Sequence, residues 1–252
     1  MEFVDLVRTR RMTRAFSRRA VPDDLVVDLV DLASRSPSAG KSQGWNLVVL
    51  RGDATESLWS RTFTPETRAS FRWQGMFDAP VVALSFADPR AYLARYSEPD
   101  KAHTGLGESV ERWSAPMWTI DAAFATMTLM HAAHDRGLGA LFFIVDKGRS
   151  EVLDALGVPS HWELLGALAL GWPLSAERDD RREGDAALAS ENGSEHGSKN
   201  GPDHSPEHNP GRSAGRPRRT AQSIIHFDTA FDAALGTAFD TAFDTGNPDR
   251  RR

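Results

Sequence analysis

Between residues 175 and 223 the chain carries one Leu, Ile, Val, Met or aromatic side chain, Leu188, and that gap decides where a core can form. The stretch ERDDRREGDAALASENGSEHGSKNGPDHSPEHNPGRSAGRPRR buries too little apolar surface to offset its conformational entropy. A disordered polar linker is therefore expected over 175–214, with folding confined to 1–174 and whatever returns after the gap. What returns is SIIHF, a β-branched run of strand character, so 215–227 is expected to add a last strand to the same domain. Beyond it lies a degenerate repeat, FDTAFDAALGTAFDTAFDTG. The spacing of Phe227, Phe231, Phe239 and Phe243 fits a weak amphipathic helix or a disordered segment, and 228–252 is assigned to a disordered tail.

Inside the first 174 residues helical and strand signals interleave. VPDDLVVDLVDLASRSP opens on Pro22 and two Asp, places Leu25, Leu29, Leu32 and Ala33 on one face, and stops at Pro37, which predicts a helix. WNLVVL (45–50) and VVALSF (81–86) are short apolar runs bounded by Gly or Pro and read as buried strands. DAAFATMTLMHAAHDRGLGA starts at Asp121, ends at Gly137 and Gly139, and is apolar nearly all round. Such a helix belongs at the centre of the domain or in a dimer interface. LFFIV (141–145) and LLGALALG (164–171) read as strands, with a short helix SEVLDALGV between them. The fold class is α+β, one mixed or antiparallel sheet flanked by helices.

Arg8, Arg10, Arg11, Arg14, Arg18 and Arg19 crowd into twelve residues of a chain whose net charge is -5. Three roles fit such a cluster: a solvated basic face at a helix end, a nucleic-acid arm, or a clamp of guanidinium groups on one phosphate. The acidic whole and the absence of interleaved aromatic residues weigh against nucleic acid. The first and third roles stay open on composition alone. With no cysteine, disulfides, thiolate metal sites and Cys nucleophiles are excluded together. No segment approaches the length of a membrane span, and MEFVDLV carries acids where a secretory signal is basic. A soluble cytoplasmic protein is expected.

Taken in order, several segments resemble the nitroreductase family of flavin enzymes. Arg10, Arg11, Arg14 and Phe16 match the family's RRSxRxF element, and Pro37, Ser38, Gln43 and Trp45 match its PSxxNxQPW loop. HDRGLGALFFIV resembles the helix end and strand that lie against the flavin ring, and LGVPSHWELLGALALGWP resembles the family's LGxP…LGYP. The resemblance covers most of residues 8–173 and implies a nitroreductase-like fold, an intertwined homodimer and FMN as cofactor. It further implies that Arg10, Arg11 and Arg14 meet the phosphate, with Met12 among them in the cofactor-binding stretch, and that the loop Pro37, Ser38 and Lys41 approaches the cofactor from the partner subunit. Phe142, Phe143 and Ile144 would run along the ring, and Arg218 and Arg219 of RPRRTAQSIIH would add phosphate contacts. Met12 stands where the family has Ser, Lys41 where it has Asn, Gly44 where it has Pro, and Ile144 where a small residue is usual.

The implied activity is reduction of an electron-poor acceptor, a nitroaromatic or quinone, by NAD(P)H in a ping-pong cycle, with no dedicated acid or base. The alternative is a protein of the same fold that sequesters FMN without turnover. Trp73, Phe77, Trp113 and Trp118 are candidate substrate-pocket aromatics, each also an ordinary core residue by type. YLARYSEPDKA is expected to form a helix and loop over the site. His131 and His134 are read as ordinary helix-end histidines rather than metal ligands, and His196, His204 and His208 carry no functional weight. SPSAG lacks the spacing of a nucleophile elbow, and neither GLG segment has the glycines of a dinucleotide fingerprint.

Overall fold

The structure, a computed structural model, describes residues 1–174 and 215–228. The linker and tail assigned to 175–214 and 229–252, with His196, His204 and His208, lie outside the described residues.

Six strands form one mixed sheet: β1 (Phe16–Ser17), β2 (Trp45–Arg51), β3 (Val81–Ala87), β4 (Gly139–Phe143), β5 (Glu163–Pro173) and β6 (Ile225–Phe227). β5 pairs antiparallel with β1, β3 and β4, β3 with β2, and β6 closes the sheet parallel to β2 with Leu47 opposite Ile225. The helices are α1 (Phe3–Thr9), α2 (Asp23–Ala33), α3 (Asp53–Thr62), α4 (Pro65–Ala69), α5 (Pro89–Tyr96), α6 (Met117–Asp135) and α7 (Arg149–Ala155).

Both faces of the sheet are covered, which is why β2 from Trp45 to Leu50 and β3 are buried throughout and, Asn46 and Ser85 apart, apolar there instead of alternating. The period-2 pleat divides their residues. Leu47, Val49, Val81 and Ala83 pack with α2, α6 and Ile224–Ile225, whereas Val48, Leu50, Val82 and Leu84 pack with Leu58 and Trp59 of α3 and Val152 of α7. Met12 packs against both layers.

Three elements depart from the sequence reading. On α2 the buried stripe is Val26, Leu29, Val30 and Ala33, while Leu25 is half-buried and Leu32 exposed. Both stripes are apolar, and contact with α6 selects the valine one. α6 begins four residues before Asp121, behind Pro116, so Asp121 is a buried member of the helix and not its cap. β4 starts at Gly139 because the chain at Thr13 presses there; a Cβ on Gly139 would lie 2.4 Å from the Thr13 hydroxyl.

Candidate functional site

The residues singled out by sequence fall into two groups. The first forms where the chain leaves α1. Arg10 caps that helix in an extended conformation, and the following residues run beside β4: Met12 bridges Ala140, and the Thr13 N–H donates to the Ala140 carbonyl at 3.0 Å. Arg10 is half-buried, and its Nη1 is a buried donor with no hydrogen-bond partner among the described residues. The Arg14 guanidinium lies 4.7 Å from the centre of the Trp73 ring. Arg11 is exposed and turns back to the carbonyls of Arg8 and Arg10. Phe142 and Phe143 end β4 half-buried, Phe143 stacked on Trp59, and Ile144 beyond them is 76% exposed.

The second group is the loop before β2. Gly40, Lys41 and Gln43 all have φ of 59°, a left-handed path. At Gly40 a Cβ would also meet the Tyr96 ring at 2.8 Å, so glycine is required there. Internal bonds from the Lys41 N–H to the Ser38 carbonyl and from the Gln43 N–H to the Ser38 hydroxyl, both 2.8 Å, define the turn. Asp121 anchors its start, one carboxylate oxygen accepting the Ala39 N–H and the Tyr92 hydroxyl at 2.7 Å each. Burial, and then that bond to Asp121, pushes the Tyr92 phenol well above its ordinary value, which keeps it a donor.

Arg218 and Arg219 join this second group. Arg218 donates to the Ser34 carbonyl at 2.8 Å, and Arg219 reaches the carbonyls of Gln43, Trp45 and Ser223 and the side chain of Asn46. Pro37 is exposed; Ser38 and Lys41 are half-buried.

The four aromatic candidates divide the same way. Trp73 flanks Arg14, and Phe77 packs edge-on with Trp59, Phe63 and Phe71. Trp113 and Trp118 pack with Tyr92 and Tyr96 behind the loop; Trp118 is buried, its indole N–H donating to Glu163 at 2.9 Å. The sheet separates the two groups. β5 and β3 stand between β4 and β2, three strand spacings or about 14 Å. One chain does not gather all these residues around one small molecule.

Sequence reasoning missed Asp121 and Tyr92 as supports of the loop. The signal was a lone carboxylate in a helix otherwise poor in charge, which reads equally as a helix start. His134 contacts the Thr9 hydroxyl at 2.9 Å, and among the described residues no group of three or more His, Cys, Asp or Glu is placed to hold a metal. Among them too, no helix is long and apolar enough to cross a membrane.

Comparison with known proteins places this arrangement. The model of the nitroreductase family matches residues 7–172. An NADH dehydrogenase of Thermus thermophilus is 30% identical over 183 residues, 65% of this chain and 83% of the relative. A 5,6-dimethylbenzimidazole synthase of Rhodospirillum rubrum is 30% identical over 186 residues, 67% of this chain and 80% of the relative. The solved structure of a nitroreductase family protein from Clostridium novyi NT shares the fold with a TM-score of 0.59 at 16% identity, covering 92% of this chain and 97% of that one. Because the family match runs from the segment that carries Arg10 and Arg14 to the end of β5, the chain belongs to the nitroreductase family and is an oxidoreductase.

Proposed function

We propose that the protein is an FMN-dependent oxidoreductase of the cytoplasm that accepts reducing equivalents from NADH or NADPH and delivers them, in a ping-pong cycle, to an electron-poor small molecule such as a nitroaromatic or quinone. The observation that carries this reading is the Arg10 Nη1 atom, buried and without a partner among the described residues. A buried donor left unpaired costs about 1–3 kcal/mol, and a phosphate oxygen removes that penalty with a charge-assisted bond. Arg14 supplies a second guanidinium on the same stretch, over the Trp73 ring. The residues therefore fit the phosphate end of a flavin.

FMN, when bound, supplies the hydride and electron chemistry. The chain's part is to bind and orient. Arg10 and Arg14 hold the phosphate end, and the terminal residues of β4 offer backbone groups to the ring. The loop Ser38–Lys41 closes the site and brings a cation, Lys41. With the two groups at different edges of the sheet, the reading requires a homodimer in which the loop of one copy faces the arginines of the other. The exposed Phe124 and Met127 of α6 give such a dimer an apolar face.

The test is a visible spectrum of the gently purified protein, followed by heat release and mass measurement of the chromophore. FMN at about one copy per chain, bleached by NADH or NADPH and recoloured by a quinone, is the expected result. A protein that takes up no FMN, or whose flavin neither nicotinamide reduces, overturns the reading.

A further inference from the structure

The segment from Arg216 to Phe227 touches the loop before β2 at several points. The Gln43 side-chain amide pairs with backbone as a strand neighbour would: its Nε2 donates to the Pro217 carbonyl at 3.0 Å and its Oε1 accepts the Arg219 N–H at 2.8 Å. The Arg219 guanidinium then spans the carbonyls of Gln43 at 3.0 Å and Trp45 at 3.1 Å and the Asn46 Oδ1 at 2.9 Å. Arg218 holds the Ser34 carbonyl, where α2 ends. Arg216 pairs with Glu98, Glu98 with Arg95 at 3.2 Å, and the Arg95 Nε donates to the Gly40 carbonyl at 2.8 Å. Arg95 is 3% exposed and clamped by Asp100, so this second route is rigid.

These routes converge on Ser34–Gln43, the stretch in which Lys41 and Gln43, neither of them glycine, adopt a left-handed backbone. Such residues persist only where their surroundings over-determine them. Within the loop, four bonds return to Ser38 and Ala39. Further supports come from Asp121, Arg95, the Asp88 N–H on the Gly44 carbonyl and the C-terminal segment. Burial lowers the affinity of Arg219 for its proton, against the opposing charge of Asp88.

We propose that Arg216, Arg218, Arg219 and Gln43 form a strap by which the C-terminal segment sets the conformation of the loop Pro37–Gly44, making Arg219 and Gln43 positioning residues and not phosphate ligands. The strap stands on these contacts alone; only its effect on flavin affinity rests on the proposed function.

The test uses the full chain, stripped of flavin, and hydrogen exchange in peptides covering 37–44. Arg219→Ala and Gln43→Ala are each expected to speed exchange there by about tenfold, with no larger effect in the double variant, while β3 and β5 stay protected. Exchange unchanged in the loop, or raised equally in β3 and β5, overturns the strap. Should Arg219→Ala fail to fold, Gln43→Ala and Arg218→Ala carry the same measurement. The second arm compares FMN with riboflavin, which lacks the phosphate. A strap predicts that Arg219→Lys and Gln43→Ala weaken both by the same factor, about tenfold. A loss confined to FMN assigns Arg219 to the phosphate and overturns the proposal. If the wild-type chain binds neither flavin, the flavin reading fails and the exchange arm still decides the strap.

Discussion

Two arginine-rich segments lie near the two ends of the described chain, and they are put to opposite uses. In the first, from Arg8 to Arg19, Arg10 keeps a buried donor without a partner among the described residues and Arg14 lies over the Trp73 ring. In the second, Arg216, Arg218 and Arg219 spend their donors on Glu98 and on the backbone of Ser34, Gln43, Trp45 and Ser223. Composition does not separate them. What does is whether backbone carbonyls lie within reach: the ends of α2 and of the loop before β2 present theirs toward 216–219, while the edge beside β4 pairs its own with Thr13 and with β5. A guanidinium surrounded by carbonyls is a structural tie. One that is buried without them is, on the proposed function, the one left to meet a phosphate.

The strongest way to break this contrast is to exchange the fates of the two clusters. Arg219→Ala removes several bonds at once and is expected to destabilise the chain by about 3 kcal/mol, at roughly 1 kcal/mol for each part-buried bond. Arg10→Ala removes none with the described residues and is expected to leave unfolding in denaturant within about 0.5 kcal/mol of wild type. Equal losses in the two variants would abolish the distinction. Binding reverses the order: Arg10→Ala is expected to weaken FMN by about 30-fold, near 2 kcal/mol for a lost charge-assisted bond, and to spare riboflavin. Fluorescence titration with the two flavins reads this directly, and an equal loss for both would remove Arg10 from the phosphate.

The same contrast measures how far the sequence could be read. The strands around Trp45–Arg51, Val81–Ala87 and Glu163–Pro173 were legible because each is a short apolar run between turn residues, buried on both faces. The stripe on α2 was not, since Leu25, Leu29 and Leu32 compete with Val26, Leu29 and Val30 and only the neighbour α6 chooses. Asp121 shows the limit most clearly. Its partners, Ala39 and Tyr92, are distant in sequence and become visible only once α6 lies against the loop. The arginine-rich start of the candidate site was legible as a motif, but the surroundings that decide the use of each guanidinium are tertiary.

Acid sharpens the comparison, because the arginines themselves do not titrate. His226, in β6 beneath the strap, is pushed down to about 4 by burial and then by the charge of Arg219. The unfolded chain takes up that proton near 6.5. Stability linked to His226 is therefore complete above the unfolded value and is lost as pH falls between the two. Half-buried Asp88, held above 3.8 by desolvation, acts with the opposite sign at the acid end of that window, so the wild-type curve mixes both. Comparing wild type with His226→Asn isolates the histidine: the variant is expected to lose about 3 °C less in Tm between pH 6.5 and 4.5. Parallel curves would show that β6 carries no proton-linked stability.

The smallest effect is expected at Met12, where the two roles meet in one residue. The resemblance to the family places a serine here, and a hydroxyl beside Arg10 and Arg14 would add one donor to a phosphate, worth about 1 kcal/mol or fivefold in FMN affinity. Yet Met12 packs against both hydrophobic layers and bridges Ala140 at the edge of β4. Shortening a half-buried thioether to a hydroxyl removes that contact at a cost of about 1–2 kcal/mol in stability. Met12→Ser is therefore expected to bind FMN more tightly while unfolding at lower denaturant concentration, a split that neither Arg10→Ala nor Arg219→Ala produces. Stability and affinity falling together would mean that the Met12 side chain supports the arginines by packing, and that the hydroxyl has no phosphate to meet.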